Sequence, residues 1–375
     1  MDVNGDYYKM TASHIVPPSK IQSELNNMWS SLENKNKMRA SLFNLIFYSK
    51  KSPRDEYTRR IAQKIIEKFP ARIFFISSDP EGKDTPVKTA VSIMSAEQGE
   101  FEITCDFIEV AVTKKTEDQV PFIILPHIIP DLPIFLVWAE DPAENTPLLQ
   151  ELQKFATRLI FDSETAEDLP GFARSILKMK TDSNCEIADL NWARLESWRD
   201  LLSAVFKEPA NLNKLRKIHS LTITYNSHET PFFCHTRIQS IYLQAWLACR
   251  LQWTLEKSDV KKDAINFAYS NMAKEKISVN IKSERHAQLP PGLIISLELS
   301  DGKDEHFQFE RSLDTPNQIS CEYSTSSSCS LPTKFLIAKG ESGQSLVKEI
   351  CHKGTSNHYL QIITLLSKME PFTLC

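Results

Sequence analysis

Glycine is scarce in this sequence: nine residues in 375, about a third of the usual ~7% share. Gly-rich phosphate cradles are correspondingly absent, since neither G-x-G-x-x-G nor G-x-x-x-x-G-K-[ST] occurs. No Cys-x-x-Cys pair exists among the eight cysteines, and their irregular spacing suggests neither a zinc ribbon nor a disulfide framework. No apolar run approaches the ~20 residues that span a bilayer, and the N-terminal MDVNGDYYKM lacks the basic and apolar regions of a secretory signal. A net charge of −4 argues against a general nucleic-acid binder. These absences point to a cytoplasmic protein without membrane or nucleic-acid partners.

What is present is an ordinary globular composition, 41% hydrophobic and 25% charged, in a chain long enough for two cores. Residues 1–18 read as a loose, flexible tail closed by Pro17-Pro18. From Ser19 the apolar positions Ile21, Leu25, Met28, Trp29 and Leu32 repeat at helical spacing. The run 39–48 is almost continuously apolar, as in a strand covered on both faces. Pro53 opens a helix with Tyr57, Ile61, Ile65 and Phe69 on one side. A second buried strand follows at 71–78, and two more near 87–94 and 100–112.

The greasy, proline-broken stretch PFIILPHIIPDLPIFLVWAEDP (121–142) then resolves into a short buried helix, a forced turn at 130–133 and a central strand at 134–138. A helix at 147–156, a strand at 158–163 and a helix at 169–179 complete an alternation that predicts a mostly parallel sheet covered by helices.

Past a polar junction at 180–185, the expectation is an α+β domain. It has one helix over 189–206, a strand near 221–226 and a long helix over 238–253. Strands follow at 277–283, 293–312 and 319–324, with a hairpin at Asp301-Gly302, and then two closing helices. The domains are therefore expected at 19–183 (α/β) and 184–375 (α+β).

Charge is uneven: residues 50–72 carry eight Lys or Arg against three acids, and 140–168 eight acids against two bases. Two solvated faces account for this simply. The sharper reading is a basic docking face of Arg54, Arg59, Arg60 and Lys64 for an acidic partner. No convincing catalytic, cofactor or metal set is found. HETPFFCH (228–235) crowds His228, Cys234 and His235 but lacks a fourth ligand. Asp131, between two prolines, suits a turn better than a general base. Arg39 and Arg72 precede the first two apolar strands; they either line an anion cleft or pair with carboxylates at the sheet edge, the second reading being favoured. Arg194 and Trp198, four apart, suit a cation–π stack. Cys321 and Cys329 flank a Ser-rich loop and are the thiols to consider for redox control; the others read as inert.

Five blocks in order carry a resemblance: RASLFNLIFYS (39–49), FPARIFFI (69–76), LPHIIPDLPIFLVWAEDP (125–142), DLNWARLESWRDLLSAVF (189–206) and LQAWLACRLQW (243–253). Together they resemble the OpcA family, glucose-6-phosphate dehydrogenase assembly proteins of bacteria. The matching residues are Arg39, Asn44, Pro70, Arg72, Pro130 to Pro133 with Asp131, Trp138, Trp192, Arg194, Trp198, Arg199, Trp246 and Arg250. The resemblance implies a non-enzymatic partner that binds glucose-6-phosphate dehydrogenase and promotes its active oligomeric form, without a cofactor of its own. In cyanobacterial members it implies a link to thioredoxin-dependent control. Residues 313–375 depart most from the family's pattern. A different class remains open, a sugar-phosphate enzyme or sensor with its ligand at the carboxyl ends of the strands, near 49–51, 77–79 and 138–141.

Overall fold

The computed structural model describes residues 8–32, 37–66, 68–82, 85–98, 101–232, 235–261, 265–338 and 343–372. It clusters into two units that interleave along the chain. The first comprises Met1–Asp162, Lys178–Asp189 and Ser342–Gly354, the second Ser163–Leu177, Leu190–Glu341 and Thr355–Cys375. Among the described residues no helix is long and apolar enough to cross a membrane.

The first unit contains, in chain order, β1 (Tyr8–Met10), β2 (His14–Val16), α1 (Ile21–Ser30), β3 (Lys37–Arg39), β4 (Asn44–Lys50), α2 (Pro53–Ile66), β5 (Arg72–Asp79), β6 (Lys88–Gln98) and β7 (Phe101–Thr113). It continues with α3 (Val120–Ile124), β8 (Ile134–Trp138), α4 (Pro147–Leu152) and β9 (Arg158–Phe161). Helix α5 (Leu169–Asp182) belongs to the second unit up to Leu177, and its last turn leads back to β10 (Glu186–Asp189) of the first. The sheet runs β1-β6-β7-β5-β4-β8-β9-β10, with β2 on β6 and β3 on β7. Strands β7, β5, β4, β8, β9 and β10 pair in parallel throughout. Numbered by their appearance in the chain, those six stand in the order 3-2-1-4-5-6, that of a doubly wound dinucleotide-binding sheet.

The α/β class expected for the first domain is what forms. The continuous apolar strands bury both faces: Phe47, Phe74, Phe75, Phe107, Trp138 and Phe161 are all fully enclosed. Residues 8–10 and 14–16, expected in a loose tail, instead add short antiparallel strands to β6. The polar junction at 180–185 lies between the end of α5 and β10, which pairs with β9. Its strand was missed because EIAD is too short to show a period.

The turn at 130–133 is built by one buried side chain. Asn44 donates to the carbonyls of Ile129 (3.0 Å) and Leu132 (3.4 Å) and accepts from the Ile129 amide (2.8 Å). Asp131 takes a left-handed conformation there, φ 65°, and is exposed.

The second unit holds α6 (Leu190–Arg194), α7 (Glu196–Val205), α8 (Pro209–Leu215), β11 (Ser220–Asn226), α9 (Ile238–Arg250), β12 (Thr254–Val260), β13 (Ile265–Ser270), β14 (Lys276–Glu284), β15 (Ile294–Ser300), β16 (His306–Arg311), β17 (Gln318–Ser324) and β18 (Thr333–Leu336). Helix α10 (Gln344–Cys351) returns to the first unit, and α11 (Asn357–Leu366) belongs to the second. The sheet order is β12-β13-β14-β11-β15-β16-β17-β18. It is antiparallel except for β11 with β14, which fits the α+β expectation. Alternation is clean in β13, where Ile265, Phe267 and Tyr269 are buried and Asn266 and Ala268 exposed. Helix α9 is buried almost all round, between this sheet and α6 and α11.

Three expectations change here. The single helix over 189–206 is broken at Leu195 into α6 and α7. β12 and β13 were not expected, because β12 (TLEKSDV) is polar and mostly exposed. The Asp301-Gly302 hairpin is present but longer than two residues: Asp301 accepts from the amides of Lys303, Asp304 and Glu305, each at 2.9 Å.

Replacing Asn44 by Ala leaves an amide and two carbonyls of the 129–132 turn without their partner. At about 1–3 kcal/mol per buried unsatisfied group, Asn44→Ala should lower the unfolding free energy by about 2–4 kcal/mol. Urea denaturation with an unchanged slope checks it. A loss below about 0.5 kcal/mol, the range of a neutral surface change, would mean the turn stands without Asn44.

Candidate functional site

In a doubly wound sheet, ligands bind beyond the carboxyl ends of the strands, where the strand order reverses. Here that point lies between β4 and β8. The turn from β4 to α2 is Lys50-Lys51-Ser52-Pro53, with no glycine to let a pyrophosphate approach the backbone. The protein's own carboxylates occupy the donors. The Lys50 amide donates to Glu140 Oε1 at 2.7 Å, and its Nζ to Glu144 at 2.6 Å. Lys51 Nζ reaches Asp79 at 3.1 Å, and Arg54, only 14% exposed, pairs with Asp162 at 2.6 Å.

Beside them Tyr48 stacks flat on Trp138, ring centroids 3.9 Å apart and planes 7° from parallel. Glu117 accepts from the hydroxyls of Tyr48 (2.8 Å) and Ser78 (2.5 Å). Burial and the facing Glu117 push the Tyr48 phenol far up, so it stays a neutral donor. Burial raises Glu140 against the pull of the Lys50 amide and ammonium. An anion arriving here would meet acids rather than free donors.

The opposite edge is built differently. Asp106, on β7 and 1% exposed, is the hub. Its Oδ2 accepts from Arg72 Nε (2.9 Å), Arg72 Nη2 (2.6 Å) and Arg39 Nη2 (2.8 Å), and its Oδ1 from the Trp29 indole (2.7 Å). Arg39 also lies over the Trp29 ring at 5.0 Å. Arg72 Nη1 donates to the His127 carbonyl at 2.6 Å. Burial alone would raise the Asp106 carboxyl, but Arg72, Arg39 and Trp29 together hold it below its ordinary value. Beside this cluster is a groove of about 600 Å³, lined by Gln22, Arg39, Ala40, Ser41, Arg72, Pro126 and residues 128–130 and 132.

The family-motif residues separate accordingly. Arg39, Arg72 and the Pro130–Leu132 wall meet at the groove, with Asn44 holding that wall from inside. Trp138 lies at the closed edge, and Asp131 is exposed on the turn. In the second unit Trp192, Trp198 and Trp246 are buried core, and Arg250 is exposed.

Arg194 bonds Asn191 at 2.9 Å and lies 3.9 Å from Glu164. Arg199 lies over Trp192 at 3.5 Å, donating to its carbonyl at 2.5 Å, and Trp198 is covered by Arg311 at 5.7 Å. The break at Leu195 falls between Arg194 and Trp198. Arg194 and Arg199 are both partly buried.

The basic docking face is largely neutralised within the first unit. Arg54 is paired as above, Arg59 binds Glu109 and covers Phe75 at 4.3 Å, and Arg60 reaches Glu56 at 2.5 Å. Lys64 is half-buried, and a Cβ on Gly343 would lie 3.3 Å from its own Cβ.

Among the described cysteines, burial pushes Cys321 up to about 11 and Cys105 to about 12, far from thiolate at neutral pH. Cys329 is exposed but raised by neighbouring Glu322. Cys234 lies outside the described residues, as does Cys375, whereas His228 and His235 of the HETPFFCH segment are described, the first half-buried and the second buried. Asp106 and Trp29's bond to it were missed by sequence reasoning. The available signal was an acid set between Cys105 and Phe107 in the middle of the strand.

Two family models match in tandem: "Glucose-6-phosphate dehydrogenase subunit N-terminal domain" over residues 62–177 and its "C-terminal domain" over 185–355. The chain belongs to the OpcA family. It is 29% identical over 197 residues to an OpcA protein of Nostoc punctiforme, and 27% over 201 residues to one of Synechocystis. Each match covers 52% of this chain and 40% of the relative, so the chain matches well under half the length of these OpcA proteins. In fold it resembles a mutant of the 3-ketoreductase KijD10 of Actinomadura kijaniata in complex with NADP, with a TM-score of 0.50 at 7% identity, covering 87% of this chain and 94% of that one. That likeness is one of fold alone.

The Asp106 cluster gives a pH prediction. Its folded carboxyl is depressed, so its contribution is full above the unfolded value of about 3.9 and is lost as pH falls through the folded value. Asp106→Asn should cost about 3–5 kcal/mol at neutral pH, since two buried-edge arginines lose their counter-charge. The variant's stability should fall less steeply than the wild type's below about pH 4. Urea unfolding of both proteins at neutral and acid pH checks the sign. Parallel acid limbs would remove Asp106 from the acid response.

Proposed function

We propose that the chain is a non-catalytic partner of glucose-6-phosphate dehydrogenase, which it binds and shifts toward the active oligomeric state within the oxidative pentose phosphate pathway. The observation that carries this reading is the closed switch point. A sheet with dinucleotide-binding order has its ligand edge filled by Glu140, Glu144, Glu117 and the Tyr48–Trp138 stack. The fold is that of an oxidoreductase domain, and the residues that would hold the nucleotide are spent on one another. The descriptions of the two family models name the dehydrogenase, and the relatives' names carry the OxPP cycle. Placement in the cytoplasm, beside that enzyme, belongs to the same proposal.

The sugar-phosphate reading has less support. Its lysines, Lys50 and Lys51, already face Glu144, Glu140 and Asp79. Activation without chemistry requires only differential affinity for two states of the enzyme. Coupling of about 1–3 kcal/mol changes the equilibrium about 5–150-fold, and substrate that favours the active state then tightens binding of this protein by the same factor.

Titrating the protein into its cognate dehydrogenase, with light scattering in parallel, should raise activity and shift oligomeric state. Alone it should turn over neither glucose 6-phosphate nor 6-phosphogluconolactone. Nicotinamide nucleotides should leave its melting temperature unchanged, whereas a true ligand at about 100 times its Kd adds about 2.7 kcal/mol. A clear nucleotide or sugar-phosphate shift, with no effect on the dehydrogenase, would reverse the order of the two readings.

A further inference from the structure

The groove beside Asp106 has a charge imbalance. Two guanidinium groups, Arg39 and Arg72, share one carboxylate, leaving a net charge of +1. Asp106 is saturated, with three guanidinium bonds on one oxygen and an indole on the other. Arg72 is buried and spends its remaining nitrogen on the His127 carbonyl. Arg39 spends only Nη2 on Asp106, and its side chain is 37% exposed. Being held over Trp29, it loses little rotamer freedom when it takes a ligand.

The facing wall supplies packing and few donors. Pro126 and Pro130 have no amide hydrogen, and the Ile129 amide is taken by Asn44. Ile128, Ile129 and Leu132 are partly exposed on it. The wall is fixed from both sides, by Asn44 at Ile129 and Leu132 and by Arg72 at His127. A phosphate dianion would ask for several converging N–H groups and more positive charge. One spare unit of charge, a partly filled guanidinium and an aliphatic wall suit a single carboxylate with an apolar neighbour.

We propose that this groove receives an extended acidic segment of the dehydrogenase, with one Glu or Asp carboxylate on Arg39 and an adjacent aliphatic side chain on the Ile128–Leu132 wall. This rests on the partnership proposed above. It places the contact on the first unit, at the amino ends of β4, β5 and β8, rather than on the basic face of α2.

The test is titration calorimetry of purified dehydrogenase against the wild type, Arg39→Glu, Arg39→Lys and Leu132→Asp, with circular dichroism confirming the fold of each. Arg39→Glu and Leu132→Asp should each weaken binding about tenfold or more, which is about 1.4 kcal/mol. Arg39→Lys should lie between, since lysine keeps the charge and loses the planar fork. Benzoylphenylalanine placed at Ser41 in the groove should cross-link to an acidic segment of the enzyme, giving a readout independent of variant folding. Wild-type binding with unaltered affinity in Arg39→Glu and Leu132→Asp, or a cross-link to a segment without acidic residues, overturns the groove and leaves the partnership standing. Absence of wild-type binding overturns the partnership and the groove with it.

Discussion

One buried carboxylate organises the amino edge of the first sheet. Asp106 ties α1 through Trp29, β3 through Arg39 and β5 through Arg72 to its own strand, β7. A lone carboxylate at 1% exposure would be untenable. It is held by four hydrogen bonds, three of them donated by guanidinium groups. Arg72 extends the network to the His127 carbonyl. Asn44, one strand over, fixes the rest of the same loop. The shape of the groove follows from these bonds, since the loop that walls it has little secondary structure of its own.

The two edges of that sheet are built differently. In a doubly wound sheet the carboxyl edge is the open one, with amides and a helix N-terminus turned to an anion. Here the Lys50 amide faces Glu140 and the first turn of α2 meets Asp162 through Arg54. The aromatic stack of Tyr48 on Trp138 closes the space between β4 and β8. At the amino edge the turn 130–133 leaves a recess with an arginine at its side.

Much of the fold was legible in the sequence because its strongest elements are long and unambiguous. The apolar cores of the strands, 45–48 and 73–76, the proline-started helix at 53 and the strand at 134–138 each satisfy a single template. What escaped notice is short, polar or broken. β10 is four residues, β12 is mostly exposed, and the helix from Leu190 breaks at Leu195 with no Gly or Pro to mark it. The site was half legible. Arg39, Arg72 and the Pro130–Pro133 turn are visible as motifs, but their convergence depends on β3 and β5 both pairing with β7, on β8 standing beyond β4 from β5, and on Asp106 from β7 itself.

The sequence's most conspicuous charge feature has an internal explanation of the same kind. The basic segment 50–72 and the acidic segment 140–168 look like two surfaces awaiting partners. In the sheet, β4 lies beside β8, and β8 beside β9, so the ends of these segments are neighbours. Lys50 meets Glu140 and Glu144, and Arg54 meets Asp162. Charges separated by 90 or more positions in the chain therefore cancel locally. Steering by a long-range field needs uncompensated charge, and these pairs remove much of it from the α2 side. At the Asp106 cluster the count does not close: two arginines face one carboxylate. A residual charge next to an apolar recess lets one surface discriminate by sign and by shape.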